Sequence, residues 1–267
     1  MARIGIITLT GYYNYGNRLQ NYALQISLNN LLKDTLIESI WYREFQLKIY
    51  KQYVRYGNIR NYIFNKHGYR HFIKSGEIFI EVIREYNFKK FSDKYINSVF
   101  DYEVKPDLND RYDYFIAGSD QIWNPHLLKD TTEFLDFADR NKRVAYAASF
   151  GVSEIKPDKV EIVRKGLEGI DYISVREQAG AKIVKELTGK DVPVLVDPTL
   201  LLTVEEWEKV MERPVWYRDE KYILVYFLSK LPDKIKKDIQ NLAEKYKLKI
   251  IDLMDKENIN YYCSPPG

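Results

Sequence analysis

Apolar runs that stop abruptly at small or polar residues recur along this chain. Tyr112–Ala117 runs into Gly118-Ser119-Asp120, and Arg143–Ser149 into Phe150-Gly151. Ile170–Val175 runs into Arg176-Glu177, and Pro193–Val196 into Asp197-Pro198. Between them lie segments of helical period, Pro157–Leu167 and Gln178–Leu187, with a short helix at Glu205–Met211. Short buried runs alternating with helices argue for a parallel sheet, because parallel neighbours need a crossover connection. The abrupt ends should then share the carboxyl edge of that sheet, where open α/β folds bind ligands.

The N-terminal stretch has the same grammar. Arg3–Thr10 reads as a buried strand and Gly11–Gly16 as a loop of Gly, Tyr and Asn. From Asn17 to Lys33, Leu19, Tyr22, Ala23, Ile26, Leu28 and Leu31 recur at helical spacing, and Thr35–Trp41 reads as the next strand. The loop lacks the Gly-x-Gly-x-x-Gly spacing of a dinucleotide fold. The expected architecture is a doubly wound, Rossmann-like α/β domain over residues 1–215. A second Rossmann-like unit starts over 216–267, with strand Tyr222–Leu228, helix Pro232–Lys245 and strand Leu248–Leu253.

Composition narrows the function classes. The 267 residues have room for one large or two ordinary domains, and a net charge of +3 is too small to argue for nucleic acid. A single cysteine, Cys263, excludes an intrachain disulfide and a cysteine-cluster metal site. His67, His71 and His126 stand in no metal-ligand motif, so neither a metal nor a cofactor is expected. No apolar run approaches the ~20 residues that span a bilayer, which points to a cytoplasmic setting.

A long insertion, residues 45–100, is expected to be helical. Between Phe45 and Gly76 there is no Asp or Glu. Lys48, Lys51, Arg55, Arg60, Lys66, Arg70 and Lys74 alternate with Tyr50, Tyr53, Tyr56, Tyr62, Phe64, Tyr69 and Phe72. Two readings stand. One is a flap with a packed aromatic face and a solvated basic face. The other is contact with a polyanion: a polyanionic glycan, single-stranded nucleic acid, or anionic lipid headgroups at the inner membrane face, which would bring the protein to a lipid-linked acceptor.

The run Tyr114–Asn124, Tyr-Phe-Ile-Ala-Gly-Ser-Asp-Gln-Ile-Trp-Asn, is the sharpest candidate for a binding loop. Glycine lets backbone approach a ligand, and exposed amides hold anions. An ordinary strand-to-helix turn with Ser119 or Asp120 as the N-cap is the competing reading.

Several blocks together resemble the polysaccharide pyruvyl transferase family. They are Gly11-Tyr-Tyr-Asn-Tyr-Gly-Asn-Arg-Leu-Gln-Asn-Tyr-Ala-Leu-Gln25, Ala117-Gly-Ser-Asp-Gln-Ile-Trp-Asn124, Tyr146-Ala-Ala-Ser-Phe-Gly151, Ser174-Val-Arg-Glu177 and Asp197-Pro-Thr-Leu-Leu201. The resemblance covers nearly the whole chain. It implies two Rossmann-like halves in a GT-B-like architecture. It also implies transfer of a pyruvate ketal from phosphoenolpyruvate to two hydroxyls of a sugar in a bacterial surface polysaccharide.

On that reading, Arg176 holds a donor anion, and Asn17 and Arg18 meet an anion or a sugar hydroxyl. Ser119, Gln121 and Asn124 bind hydroxyls, Trp123 stacks on a pyranose face, and Asp120 acts as base. For Arg176 a salt bridge, for Arg18 a surface helix position and for Trp123 a core position are the competing readings. Asp197 is read as tying down its Pro turn. The sequence departs from the family in one place. Members continue past the Ser-Pro-Pro region into a Ser-Phe-His-Gly block whose histidine is the expected acid/base, and no residue here takes its place. His126 lies in the wrong motif. The chain therefore reads as an incomplete form that does not make the ketal alone. A sugar-nucleotide glycosyltransferase of GT-B type and a non-catalytic glycan-binding fragment are the alternatives.

Overall fold

A computed structural model describes residues 1–11, 14–41, 76–100, 106–128, 130–214, 217–227 and 231–253. The basic-aromatic stretch as far as Ser75 lies outside them. The described residues fall into two compact units, one within Met1–Arg55 and Asn87–Val210, the other within Tyr56–Tyr86 and Met211–Gly267.

The first unit is built on a six-stranded sheet. Its strands are β1 (Ala2–Ile7), β2 (Thr35–Trp41), β3 (Ser98–Phe100), β4 (Tyr114–Gly118), β5 (Arg143–Ala148) and β6 (Tyr172–Val175). Their order is β3-β2-β1-β4-β5-β6, and every neighbouring pair is parallel. The chain reverses its direction of travel between β1 and β4, which is the topological switch point of a Rossmann-like fold. The helices are α1 (Tyr15–Leu31), α2 (Gly76–Tyr95, in this unit from Asn87), α3 (Pro106–Arg111), α4 (Pro157–Glu168), α5 (Gln178–Thr188) and α6 (Val204–Glu208).

Strand alternation divides the core between the two sheet faces. Ile4, Ile6, Ile37 and Ile116 pack with Leu24 of α1 on one side. On the other, Ile7, Ile40, Phe115, Ala117 and Ala145 pack with Val163 and Leu167 of α4 and Ile183 and Val184 of α5. Each fully buried large side chain of this kind contributes about 1.5–3 kcal/mol. Glycine is required at Gly5, because a Cβ there would stand 2.6 Å from Cδ1 of Ile40.

Helix α1 starts two residues before the expected Asn17, because the Asn14 side chain accepts a hydrogen bond from the Asn17 N–H and caps it. It also buries Asn17, Arg18, Gln20, Asn21 and Gln25, an unusually polar face for a helix on a sheet. Many of these groups are met by hydrogen bonds, Asn21 Oδ1 accepting from Ser39 Oγ at 2.6 Å among them. Gln25 Nε2 donates to Ser39 Oγ at 2.8 Å and to the Asn97 carbonyl at 2.7 Å, and the Asn97 N–H returns one to Gln25 Oε1 at 3.0 Å. That exchange holds β3 at the sheet edge, so residues 98–100 are strand rather than part of a helical insertion. Three residues are too few for a period to show.

Pro193–Val196 is likewise not a strand of its own. Val194 forms a single parallel bridge with Val175. Proline has no N–H to give a ladder, so pairing cannot extend through residue 193. The segment still delivers Asp197 to the carboxyl edge beside β6.

The second unit contains β7 (Tyr222–Val225), α7 (Asp233–Tyr246) and β8 (Lys249–Asp252), with β7 and β8 parallel. Val225 and Ala243 are buried, and lysines occupy much of the outer helix face.

Candidate functional site

The ends of β4, β5 and β6 form one corner of the first unit. The backbone turns sharply there. Gly118 has φ +127°, and a Cβ on it would stand 2.1 Å from the Tyr146 carbonyl oxygen of β5. The two residues with side chains at positive φ in this corner are Asp120 at +54° and Ala147 at +44°. β5 shifts register between Ala145 and Ala148, a bulge of the kind that re-aims side chains beside sites. Left-handed backbone at residues other than glycine costs of order 1–3 kcal/mol each, and such positions cluster where function demands them.

Hydrogen bonds then lock the three loops together. The Ser149 N–H donates to the Asp120 carbonyl at 2.9 Å, and the Trp123 N–H donates to the Ser149 carbonyl at 3.1 Å. The Arg176 N–H donates to the Ala148 carbonyl at 3.3 Å. Glu177 Oε1 accepts from Ser149 Oγ at 2.7 Å and from the Phe150 N–H at 3.1 Å.

Asp197 gathers the charged groups. Its Oδ2 accepts from Arg176 NH1 at 3.0 Å and lies 3.1 Å from Ser119 Oγ. Its Oδ1 accepts from the Thr199 N–H at 3.0 Å and from Thr199 Oγ1 at 2.8 Å. Burial pushes this carboxyl up, but the bonds from Thr199, Arg176 and Ser119 outweigh burial and hold it below the ordinary aspartate value. Asp120 goes the other way. Burial pushes its carboxyl up, the Gln121 N–H and Arg176 pull it down, Asp197 pushes it up again, and the net shift is upward. Two carboxylates of opposite shift beside an arginine are a pattern found where acid and base roles are divided.

The expected site residues separate into two groups. Asp120, Gln121, Asn124 and Arg176 stand at the surface of this corner. Asn124 Nδ2 donates to Gln121 Oε1 at 2.9 Å, and the Arg176 side chain is 28% exposed. The others are interior.

Trp123 is fully buried, stacks on Phe134 with centroids 5.1 Å apart, and donates its indole N–H to the Glu133 carbonyl, so it offers no face to a sugar. Ser119 is also fully buried. Its N–H donates to Gln20 Oε1 at 3.1 Å, and its hydroxyl lies between the Ala147 carbonyl and Asp197.

Arg18 is 1% exposed, with its guanidinium over the Trp41 ring and donating to the Leu9 carbonyl and Asn17 Oδ1. It is therefore not a surface helix residue; its charge bears on Asp120 from inside. Asn17 is buried with it. Asp197 ties down its Pro turn, as expected, through the bonds from Thr199; sequence reasoning missed its bonds to Arg176 and Ser119 and the role of Glu177. Their signal was adjacency to a strand end, which does not reveal a partner 21 or more residues away.

Among the described residues, no group of His, Cys, Asp and Glu could hold a metal ion. Among them, too, no helix is long and apolar enough to cross a membrane.

Three comparisons with known proteins bear on this corner. Searches of curated proteins and of solved structures each gave no match. The family model described as polysaccharide pyruvyl transferase matches residues 14–265. That match takes in every strand-end segment described above, and it spans nearly the full chain. The chain belongs to the polysaccharide pyruvyl transferase family.

Proposed function

We propose that the corner at the ends of β4, β5 and β6 binds phosphoenolpyruvate for transfer of its pyruvate, as a ketal, to a sugar of a bacterial surface polysaccharide. The family supports pyruvyl transfer to a polysaccharide in general. The observation that carries the phosphoenolpyruvate reading is Arg176 standing half-open beside the half-buried Asp120, whose carboxyl is shifted upward.

Phosphoenolpyruvate carries a carboxylate and a phosphate, which call for a guanidinium fork. Protonation of its methylene carbon leaves an oxocarbenium-like centre that one sugar hydroxyl attacks. The C–O bond to phosphate breaks, and a second hydroxyl closes the ketal. Of the two hydroxyl protons, one balances the new methyl group and the other leaves with inorganic phosphate. Asp120 is the group positioned to take a hydroxyl proton, and its raised affinity for a proton makes it a stronger base than an ordinary aspartate. Gln121 and Asn124 flank it with amides suited to hydroxyls. Arg176 opposes the negative charge that builds on departing phosphate.

Donor identity is tested by thermal unfolding of the whole chain with phosphoenolpyruvate, inorganic phosphate or a UDP-sugar. A ligand that binds only the folded state raises its stability, by about 2.7 kcal/mol at a hundred times its Kd. Phosphoenolpyruvate is expected to raise the midpoint of the wild type and to leave that of Arg176→Ala unmoved. Stabilisation by the UDP-sugar alone would replace this reading with a glycosyltransferase.

A further inference from the structure

The geometry points to Asp197 as a positioning residue. It holds Arg176 off Asp120 with one guanidinium edge turned outward for the donor anion. This rests on the reading of the corner as a donor site, and it gives Asp197 more to do than tie down a turn.

A carboxylate has about four lone-pair sites. Those of Asp197 face four donors: Arg176 NH1 and Ser119 Oγ on Oδ2, the Thr199 N–H and hydroxyl on Oδ1. A carboxylate so engaged is a poor base and has no oxygen to spare for a sugar. It is instead a fixed anchor, tied to the end of β4 through Ser119 and to the end of β6 through Arg176. Glu177 Oε2 stands 3.8 Å from Arg176 Nε on the other flank. Arg176 NH2 donates to no described residue, so that edge of the fork is the one left for a ligand.

The charged groups bearing on Asp120 are Arg176 after β6, Asp197 beyond it and Arg18 on α1, with the Gln121 N–H bonded to it at 2.7 Å. Removing the Asp197 charge therefore acts twice in the same direction. It deletes a like charge near Asp120, and it frees Arg176 to approach Asp120. Both lower the pH at which Asp120 ionises.

Asp197→Asn is the informative variant. Its amide oxygen still accepts from Thr199 and its nitrogen still meets the Ser119 hydroxyl, but an N–H now confronts Arg176 NH1. Phosphoenolpyruvate affinity, read from thermal shift against ligand concentration, is expected to fall roughly tenfold or more. The fall of that affinity with rising pH, caused by Asp120 ionising next to an anionic ligand, should move to lower pH. Thr199→Val removes one of the four donors but leaves the ion pair, and it is expected to lose much less affinity for phosphoenolpyruvate than Asp197→Asn does.

Wild-type affinity and pH profile in Asp197→Asn would overturn the inference, and so would an equal loss of affinity in Thr199→Val. A wild type that gives no phosphoenolpyruvate response would instead remove the donor-site reading, and this inference with it.

Discussion

Asp120 is a residue whose setting works against the fold and, on the proposed reading, for the site. Its folded-state proton affinity is raised, chiefly by burial. A group of that kind supports the folded state below its unfolded pKa, and the support is lost as pH rises through the folded pKa. Above that folded pKa the ionised Asp120 therefore costs stability. The melting temperature of Asp120→Asn should rise relative to the wild type as pH climbs above the ordinary aspartate range, and the gain should vanish as pH falls and the aspartate takes up its proton. Asparagine also tolerates the left-handed backbone at this position and can still accept from the Gln121 N–H. The same variant should lower any ketal-forming rate by ~10²–10⁴-fold if Asp120 is the base. Melting curves across pH check the first expectation. A difference between variant and wild type that does not grow with pH would contradict it.

At this scale the sequence was legible in part. Residue type and position after a strand placed Asp120 and Arg176 at the carboxyl edge, where both stand. They could not reveal that Ser119, Trp123 and Arg18 turn inward, because a run of polar residues at a strand end looks the same whether its side chains face a ligand or the protein. The buried arginine was least legible of all. An arginine in the first turns of a helix is usually solvated, and here the Trp41 ring, the Leu9 carbonyl and Asn17 help make its burial tolerable.

Between elements, Gln20 spans the switch point. Its Nε2 donates to Thr8 Oγ1 beyond β1 at 3.0 Å, and its Oε1 accepts the Ser119 N–H beyond β4 at 3.1 Å. The crevice where such sheets usually take a ligand is thus bridged by a side chain, and the charged corner lies further along, at β4, β5 and β6. Gln20→Ala would leave a buried N–H without its acceptor, at a cost of about 1–3 kcal/mol. Gln20→Glu would keep the acceptor for Ser119 but bury a charge. Urea unfolding should rank wild type above both variants, and equal midpoints would show that the bridge contributes nothing.

The elements themselves were mostly visible in the sequence. Strands β1, β2, β4, β5 and β6 were legible because fully buried parallel strands are near-continuous apolar runs. β3 was not, because a three-residue edge strand held by Gln25 and Asn97 carries no pattern of its own.

For the whole molecule, the fold was easier to read than the site, since a fold repeats its signal along the chain and a site is made once. The parallel α/β sheet of the first unit and the βαβ arrangement of the second both follow from strand and helix periods. Pyruvyl transfer follows from the family match, not from the fold, since one architecture hosts many chemistries.

Binding of the donor at the carboxyl edge of β4, β5 and β6, as proposed, is read from amide hydrogen exchange of the whole chain with and without phosphoenolpyruvate. Exchange should slow in peptides covering residues 118–124, 149–151 and 176–178, with inorganic phosphate giving a weaker version of the same map and Arg176→Ala erasing it. Slowed exchange confined to other parts of the chain, or none at ligand concentrations that saturate binding, would rule out a donor site at this corner.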